Sequence, residues 1–160
     1  MTEIKSGPSI GRFAADFMLG RLAKWLRVIG QDVIYGRHLT GYGLIRAARA
    51  EGRLILTRDR RLKQKQPPPF LFIDSDHYRD QLRQVITECG IKSAQRMFTR
   101  CIECNSALEP KSKSSIESSV PPYVFSSQEK FSWCPTCRRI YWPATHHQKM
   151  LDELRMIGIG

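Results

Sequence analysis

Two Cys-x-x-Cys pairs, Cys101-Ile-Glu-Cys104 and Cys134-Pro-Thr-Cys137, constrain this chain more than any other feature. Each pair presents two thiolates to one ion from a tight turn, and two pairs complete a closed tetrahedral shell of four sulfurs. A closed shell has no open position for water or substrate, so the expected zinc is structural. The C-terminal part is therefore expected to be a small zinc-held module. Two disulfides would need an oxidising compartment, and the opening Met1-Thr-Glu-Ile-Lys-Ser-Gly-Pro8 has no apolar stretch of a secretory signal. A redox Cys-x-x-Cys opens a helix near a βαβ pattern and has no use for a matched second pair. The fifth cysteine, Cys89, sits in the apolar stretch from Val85 to Ile91 and reads as a small buried hydrophobe.

Charge narrows the choice of partner. Of 160 residues, 26 are Lys or Arg and 15 are Asp or Glu, a net charge of +11. That balance favours a polyanion, and nucleic acid is the commonest one. The plainer alternative is a solvated basic surface. The hydrophobic fraction of 41% suffices for one domain with a small appendage. No apolar run is long enough to cross a membrane, and the expected setting is the cytoplasm.

The hydrophobic pattern alternates strands and helices. Arg12–Asp16 reads as a strand ending in an acid. Met18, Leu19, Leu22, Ala23, Leu26 and Ile29 recur at helical spacing up to a stop at Gly30. Asp32–Gly36 is a second strand, Gly41–Gly43 a loop, and Leu44–Glu51 a short helix stopped by Gly52. Arg53–Thr57 is an apolar run suited to burial in a parallel sheet. A basic segment, Arg58–Gln66, ends at Pro67-Pro68-Pro69. Phe70–Ile73 is the fourth strand, and residues 77–89 form an amphipathic helix ending at Gly90. This order implies an α/β fold: a parallel sheet covered on both faces by helices, followed by the zinc module. Lys111–Ser119 reads as a mobile loop or β-tongue, Arg138–Trp142 as a strand, and His147–Met156 as a terminal helix. The expected organisation is a flexible leader at 1–9, an α/β domain at 10–95 and a zinc module with a C-terminal helix at 96–160.

Ligands of open α/β sheets sit beyond the carboxyl ends of the strands. Three expected strands end there in acids: Asp16, Asp59, and Asp74 or Asp76. Carboxylates converging from separate strands can hold Mg²⁺ or Mn²⁺, and such ions can activate water for phosphodiester cleavage. The competing reading is that each Asp is only a helix N-cap. Arg58, Arg60, Arg61 and Lys63 form a phosphate-binding strip or a solvated face, and Arg21 and Lys24 lie on the polar side of the first helix. Trp25 and Trp133 read as core residues. None of His38, His77, His146 or His147 belongs to a nucleophile-and-base motif.

Several stretches together resemble the Mut7-C family. Asp16-Phe-Met-Leu-Gly-Arg-Leu-Ala-Lys-Trp-Leu-Arg-Val-Ile-Gly30 is similar to its opening, and Gly52-Arg-Leu-Ile-Leu-Thr-Arg-Asp-Arg-Arg-Leu62 to its Thr-Arg-Asp motif. Gln81-Leu82, Arg100-Cys-Ile-Glu-Cys-Asn105, Val120-Pro121, Cys134-Pro-Thr-Cys137, Tyr141-Trp142 and His146 extend the likeness through the zinc half. The resemblance covers about Phe13 to Met150. It implies a PIN-like nuclease fold with a zinc ribbon and a metal-dependent ribonuclease activity. By the same resemblance Asp16 and Asp59 take the positions of metal-binding acids, and the four cysteines those of the zinc ligands. The chain departs from the pattern at Thr40-Gly-Tyr-Gly-Leu-Ile45, which has no carboxylate where family members carry an acid, and at Ala144, where a Gly is usual. The expected activity is cleavage of RNA by a metal-activated water, with Asp16 and Asp59 holding Mg²⁺ or Mn²⁺ and Asp74 or Asp76 assisting. The alternatives are a non-catalytic RNA-binding adaptor for structured RNA or a ribonucleoprotein, and a protein scaffold that would leave the charge unexplained.

Overall fold

In a computed structural model, residues 11–92, 96–143 and 145–158 are described, with the side chains of residues 145 and 146 left aside. The expected leader at 1–9 and the departure at Ala144 lie outside the described residues, as does the side chain of His146. Four parallel strands form one sheet in the order β2-β1-β3-β4: β1 (Arg12–Ala15), β2 (Asp32–Ile34), β3 (Leu54–Thr57) and β4 (Phe70–Phe72). The connections run through α1 (Gly20–Val28), α2 (Gly41–Glu51) and a 3-10 stretch at Arg60–Lys65, and α3 (Tyr78–Cys89) follows β4.

Alternation along the central strands sorts the core into two layers. Phe13, Ala15, Leu54 and Leu56 face a cluster that includes Leu22 and Leu26 of α1 and Leu82 and Val85 of α3. Ala14 and Ile55 face Leu44, Ile45 and Ala48 of α2 and Leu62 of the 3-10 stretch. Burial on both faces explains why β3 reads as an unbroken apolar run, since all four of its residues are buried. Cys89 is half-buried against the first layer, and burial pushes its thiol up to about 11.

The smaller part is an antiparallel sheet, β5-β6-β7, made of Glu109–Lys111, Phe131–Trp133 and Ile140–Tyr141. The helix α5 (Thr145–Ile157) returns to the larger part, where Leu154 and Ile157 join the first core layer.

Two local expectations change. Gly41–Gly43 is the first turn of α2 rather than a loop. Glycine is needed there for packing: a Cβ on Gly43 would stand 2.7 Å from the His38 carbonyl oxygen, and Gly41 has φ 52°. Lys111–Ser119 is neither a loose loop nor a β-tongue. It finishes β5 and makes two short 3-10 turns pinned by Ile116, which is 1% exposed. The helix α4 (Pro122–Ser127) follows, and Ile116, Val120, Val124 and Phe131 form a separate small core. Strand β6 was not expected from the sequence; three residues give too short a stretch for alternation to register.

Candidate active site and metal centre

Both Cys-x-x-Cys segments fold into the same turn. Cys101 N–H donates to the Ser106 carbonyl at 2.8 Å and receives Asn105 N–H on its own carbonyl at 2.9 Å. Cys134 N–H donates to the Arg139 carbonyl at 2.9 Å and receives Arg138 N–H at 2.8 Å. The residue after each pair is left-handed, with φ 73° at Asn105 and 62° at Arg138. All four Sγ atoms lie within 4.8 Å of one another, with Cys101–Cys137 at 3.5 Å and Cys104–Cys134 at 3.3 Å. A tetrahedron of sulfurs bonded at zinc distance has edges of about 3.8 Å, so the quartet fits that ion. Among the described residues it is the one cluster of three or more metal-ligating side chains.

Electrostatics also favour a cation there. Desolvation alone would raise the Cys134 thiol, but the Cys137 N–H, 3.4 Å from its sulfur, and the neighbouring thiols bring it down to about 6. Cys137 moves the other way, to about 12: a backbone hydrogen bond from Arg139 favours its thiolate, but desolvation and the nearby Cys134 and Cys101 sulfurs outweigh that bond. Concentrated negative charge of this kind is relieved by a metal ion. The Tyr141 hydroxyl, 2.9 Å from Cys101 Sγ, supports the cluster from outside.

The first zinc turn is fastened to the larger part at the end of α1 and the start of β2. Buried Arg27 donates to the carbonyls of Val33 (3.0 Å), Ile102 (2.9 Å) and Glu103 (3.2 Å). Asn105 Oδ1 accepts the Val33 N–H of edge strand β2 at 2.9 Å, and its Nδ2 donates to Asp32 Oδ1 at 2.7 Å. The ribbon therefore caps an exposed sheet edge.

Asp16, Asp59 and Asp74 follow the opposite, carboxyl ends of β1, β3 and β4, without forming a cluster of metal-ligating side chains. The chain leaves β1 toward β2 and β3 toward β4, so a crevice opens between the carboxyl ends of β1 and β3. Asp16 follows β1, is 2% exposed, and accepts the Thr57 hydroxyl on Oδ2 at 2.9 Å. The same hydroxyl accepts Asp59 N–H at 2.9 Å. Thr57 thus ties together the two segments that carry Asp16 and Asp59. Both acids also cap: Asp16 Oδ1 receives Met18 N–H at 3.2 Å, and Asp59 Oδ1 receives Arg61 N–H at 3.0 Å. That bond from Arg61 holds the Asp59 carboxyl below the usual carboxylate range, assisted by the Arg61 and Lys65 charges.

Asp59 and Asp74 line one open groove of about 680 Å³ beside β4, with Arg60, Lys63, Gln84 and Glu88. Asp76 is not among its lining residues; it lies 3.7 Å from His77 and is 81% exposed.

The family description "Mut7-C RNAse domain" matches residues 11–154. The chain belongs to the Mut7-C family. No curated protein and no solved structure matches it.

In this Mut7-C domain the expected RNA-contacting cations divide. Arg60 and Lys63 line the groove of Asp59 and Asp74. Arg58 donates to the Ile73 carbonyl at 2.8 Å, bracing β3 against the end of β4. Arg61 pairs with Asp59 at 3.3 Å. Arg21 lies 3.7 Å over the Tyr78 ring, and Lys24 pairs with Glu103 at 3.6 Å. Trp25 packs against the first core layer and stacks on Tyr78, while Trp133 is half-exposed under Lys111. Sequence reasoning missed Thr57, Arg27 and Asn105. Thr57 had a signal, a polar residue closing an apolar strand; Arg27 and Asn105 lie in the stretches that carry the family resemblance, but their contacts across more than seventy positions had no local pattern.

Proposed function

We propose that this protein is a metal-dependent ribonuclease acting at the carboxyl ends of β1 and β3. Asp16 and Asp59 are the residues to hold one Mg²⁺ or Mn²⁺, and the observation that supports this is the Thr57 hydroxyl joining their segments at the strand crevice. Oxygen donors from two carboxylates, completed by water, suit either ion. Such an ion, when bound, supplies Lewis acidity toward a phosphate oxygen and an attacking water. The protein's share is positioning. Thr57 orients Asp16, the Arg61 N–H fixes the Asp59 carboxylate, and Arg60 and Lys63 draw a phosphate backbone into the groove. Asp74, which lines the same groove as Asp59, assists. In this reading residues 10–95 carry the chemistry, and residues 96–160 brace the fold and bind RNA.

A second reading, an RNA-binding adaptor without cleavage, has its own support. The first turn of α2 carries no carboxylate, and Asp16 and Asp59 are each already engaged as caps. Labelled single-stranded and hairpin RNA incubated with Mn²⁺ or Mg²⁺ separates the two. The ribonuclease reading expects metal-dependent cleavage that Asp59→Asn abolishes while RNA affinity stays within about threefold. Salt-sensitive binding with no cleavage under any metal would select the adaptor.

A further inference from the structure

Two hollows at the zinc ribbon share Tyr141 and Trp142 among their walls. One, of about 280 Å³, is largely apolar, with Phe98, Ile102, Leu108 and Met150 among its walls, and Arg100 and Lys130 also line it. His147 stacks on Phe98 there, with centroids 3.7 Å apart. The other, of about 470 Å³, is wider and carries Arg138 and Arg139. Ile102, Tyr141 and Trp142 line both. Glu103 also lines the wider hollow but pairs with Lys24 at 3.6 Å, and among the described residues no acid lies within ion-pair distance of Arg138, Arg139 or Lys130. Arg138 also holds a left-handed conformation, φ 62°, which costs an arginine about 1 kcal/mol more than a glycine.

We propose that the ribbon carries a nucleotide site of its own: one unstacked RNA base enters the apolar hollow beside Trp142, and its flanking phosphates rest on Arg138 and Arg139. An aromatic-walled slot beside unpaired guanidinium groups is the chemistry by which single-stranded nucleic acid is held without sequence reading. Because the ribbon docks at the far end of α1 from Asp16, the site grips the strand away from the acids. It serves retention and positioning of the RNA and takes no part in bond cleavage. The proposal rests on RNA being the ligand.

The test uses the full zinc-loaded protein without added divalent ion, and fluorescence anisotropy of two labelled ten-mers, decaadenylate and an abasic ribose-phosphate chain of equal length. Wild type is expected to prefer decaadenylate by about tenfold, as one stacked base would give. Ser132→Phe places a ring in the hollow at a strand position that suits it, and should reduce that preference below about twofold at full zinc content. Arg138→Asn with Arg139→Gln, whose asparagine tolerates the left-handed turn, should weaken both probes about tenfold and flatten the salt dependence. This surface pair decides the matter should Ser132→Phe lose zinc. Equal affinity of wild type for the two probes overturns the base site, as does affinity unmoved by the surface pair. Either result, with decaadenylate still bound, leaves the ribonuclease reading standing; failure of both probes to bind overturns the base site, and failure of RNA cleavage with Mn²⁺ or Mg²⁺ separately overturns the ribonuclease reading.

Discussion

The Thr57 hydroxyl donates to Asp16 Oδ2 at 2.9 Å, and both residues are buried. Thr57→Val keeps the shape and removes the hydroxyl. It strands a buried carboxylate oxygen and releases the Asp59 N–H, so urea unfolding should show a loss of about 1–3 kcal/mol. Thr57→Ser should recover most of it. An unchanged midpoint in the valine variant would mean that Thr57 does not organise the crevice.

Arg27 couples the ribbon to the sheet through three carbonyls. Arg27→Met fills the volume but leaves those acceptors unpaired. Stability should fall by about 2–3 kcal/mol, and zinc should pass more readily to a competing chelator, since metal affinity and folding of the site are linked. Zinc affinity equal to wild type would contradict the coupling.

Zinc retention should depend on pH with a definite sign. Protons compete for thiolates, so affinity falls as pH falls. Cys134, held at about 6, keeps its thiolate further into acid than an ordinary thiol. A chromophoric chelator should therefore report gradual weakening from neutral pH and a steeper loss below about pH 6. Retention independent of pH between 5 and 8 would contradict thiolate ligation.

Asp32 makes a parallel case in acid. Burial raises its carboxyl, but hydrogen bonds from Arg53 and Asn105 and the nearby guanidinium charges outweigh burial and hold it below the ordinary 3.8. A depressed native value adds stability that is fully present above 3.8 and is lost as pH falls through the native value. Acid unfolding should thus steepen below about pH 4, and Asp32→Asn, less stable at neutral pH because Arg53 keeps only Glu51 of its two carboxylate partners, should show a shallower slope there. Equal slopes for the two proteins would rule out this carboxylate as a source.

What could be read from the sequence follows from the range of each interaction. β3 and the ends of α2 and α3 were plain, because apolar runs and the left-handed glycines Gly52 and Gly90 act over a few residues. The metal quartet was plain because each turn supplies two sulfurs from one tetrapeptide. Gly41–Gly43 read as a loop because the close approach of the His38 carbonyl, which explains a glycine inside a helical turn, exists only once the chain is folded. Within 111–127, Ile116, Val120 and Val124 recur every four positions, but the serines around them masked the small core they build. Asp74 and Asp76 could not be told apart by position, and only the groove shared with Asp59 separates them. The bracing by Arg27 and Asn105 joins residues 72 to 76 positions apart, beyond the reach of any local pattern.

The most direct measurement is Mn²⁺ binding to the zinc-loaded protein by electron paramagnetic resonance, with Asp59→Asn as the comparison. That variant keeps an acceptor for Arg61, whereas asparagine at buried Asp16 would set an amide against one of its two donors. The account predicts one bound Mn²⁺ per chain, weakened at least tenfold by Asp59→Asn with zinc content unchanged. Mn²⁺ binding that is absent in the wild type, or indifferent to the loss of Asp59, would contradict a metal site at the ends of β1 and β3.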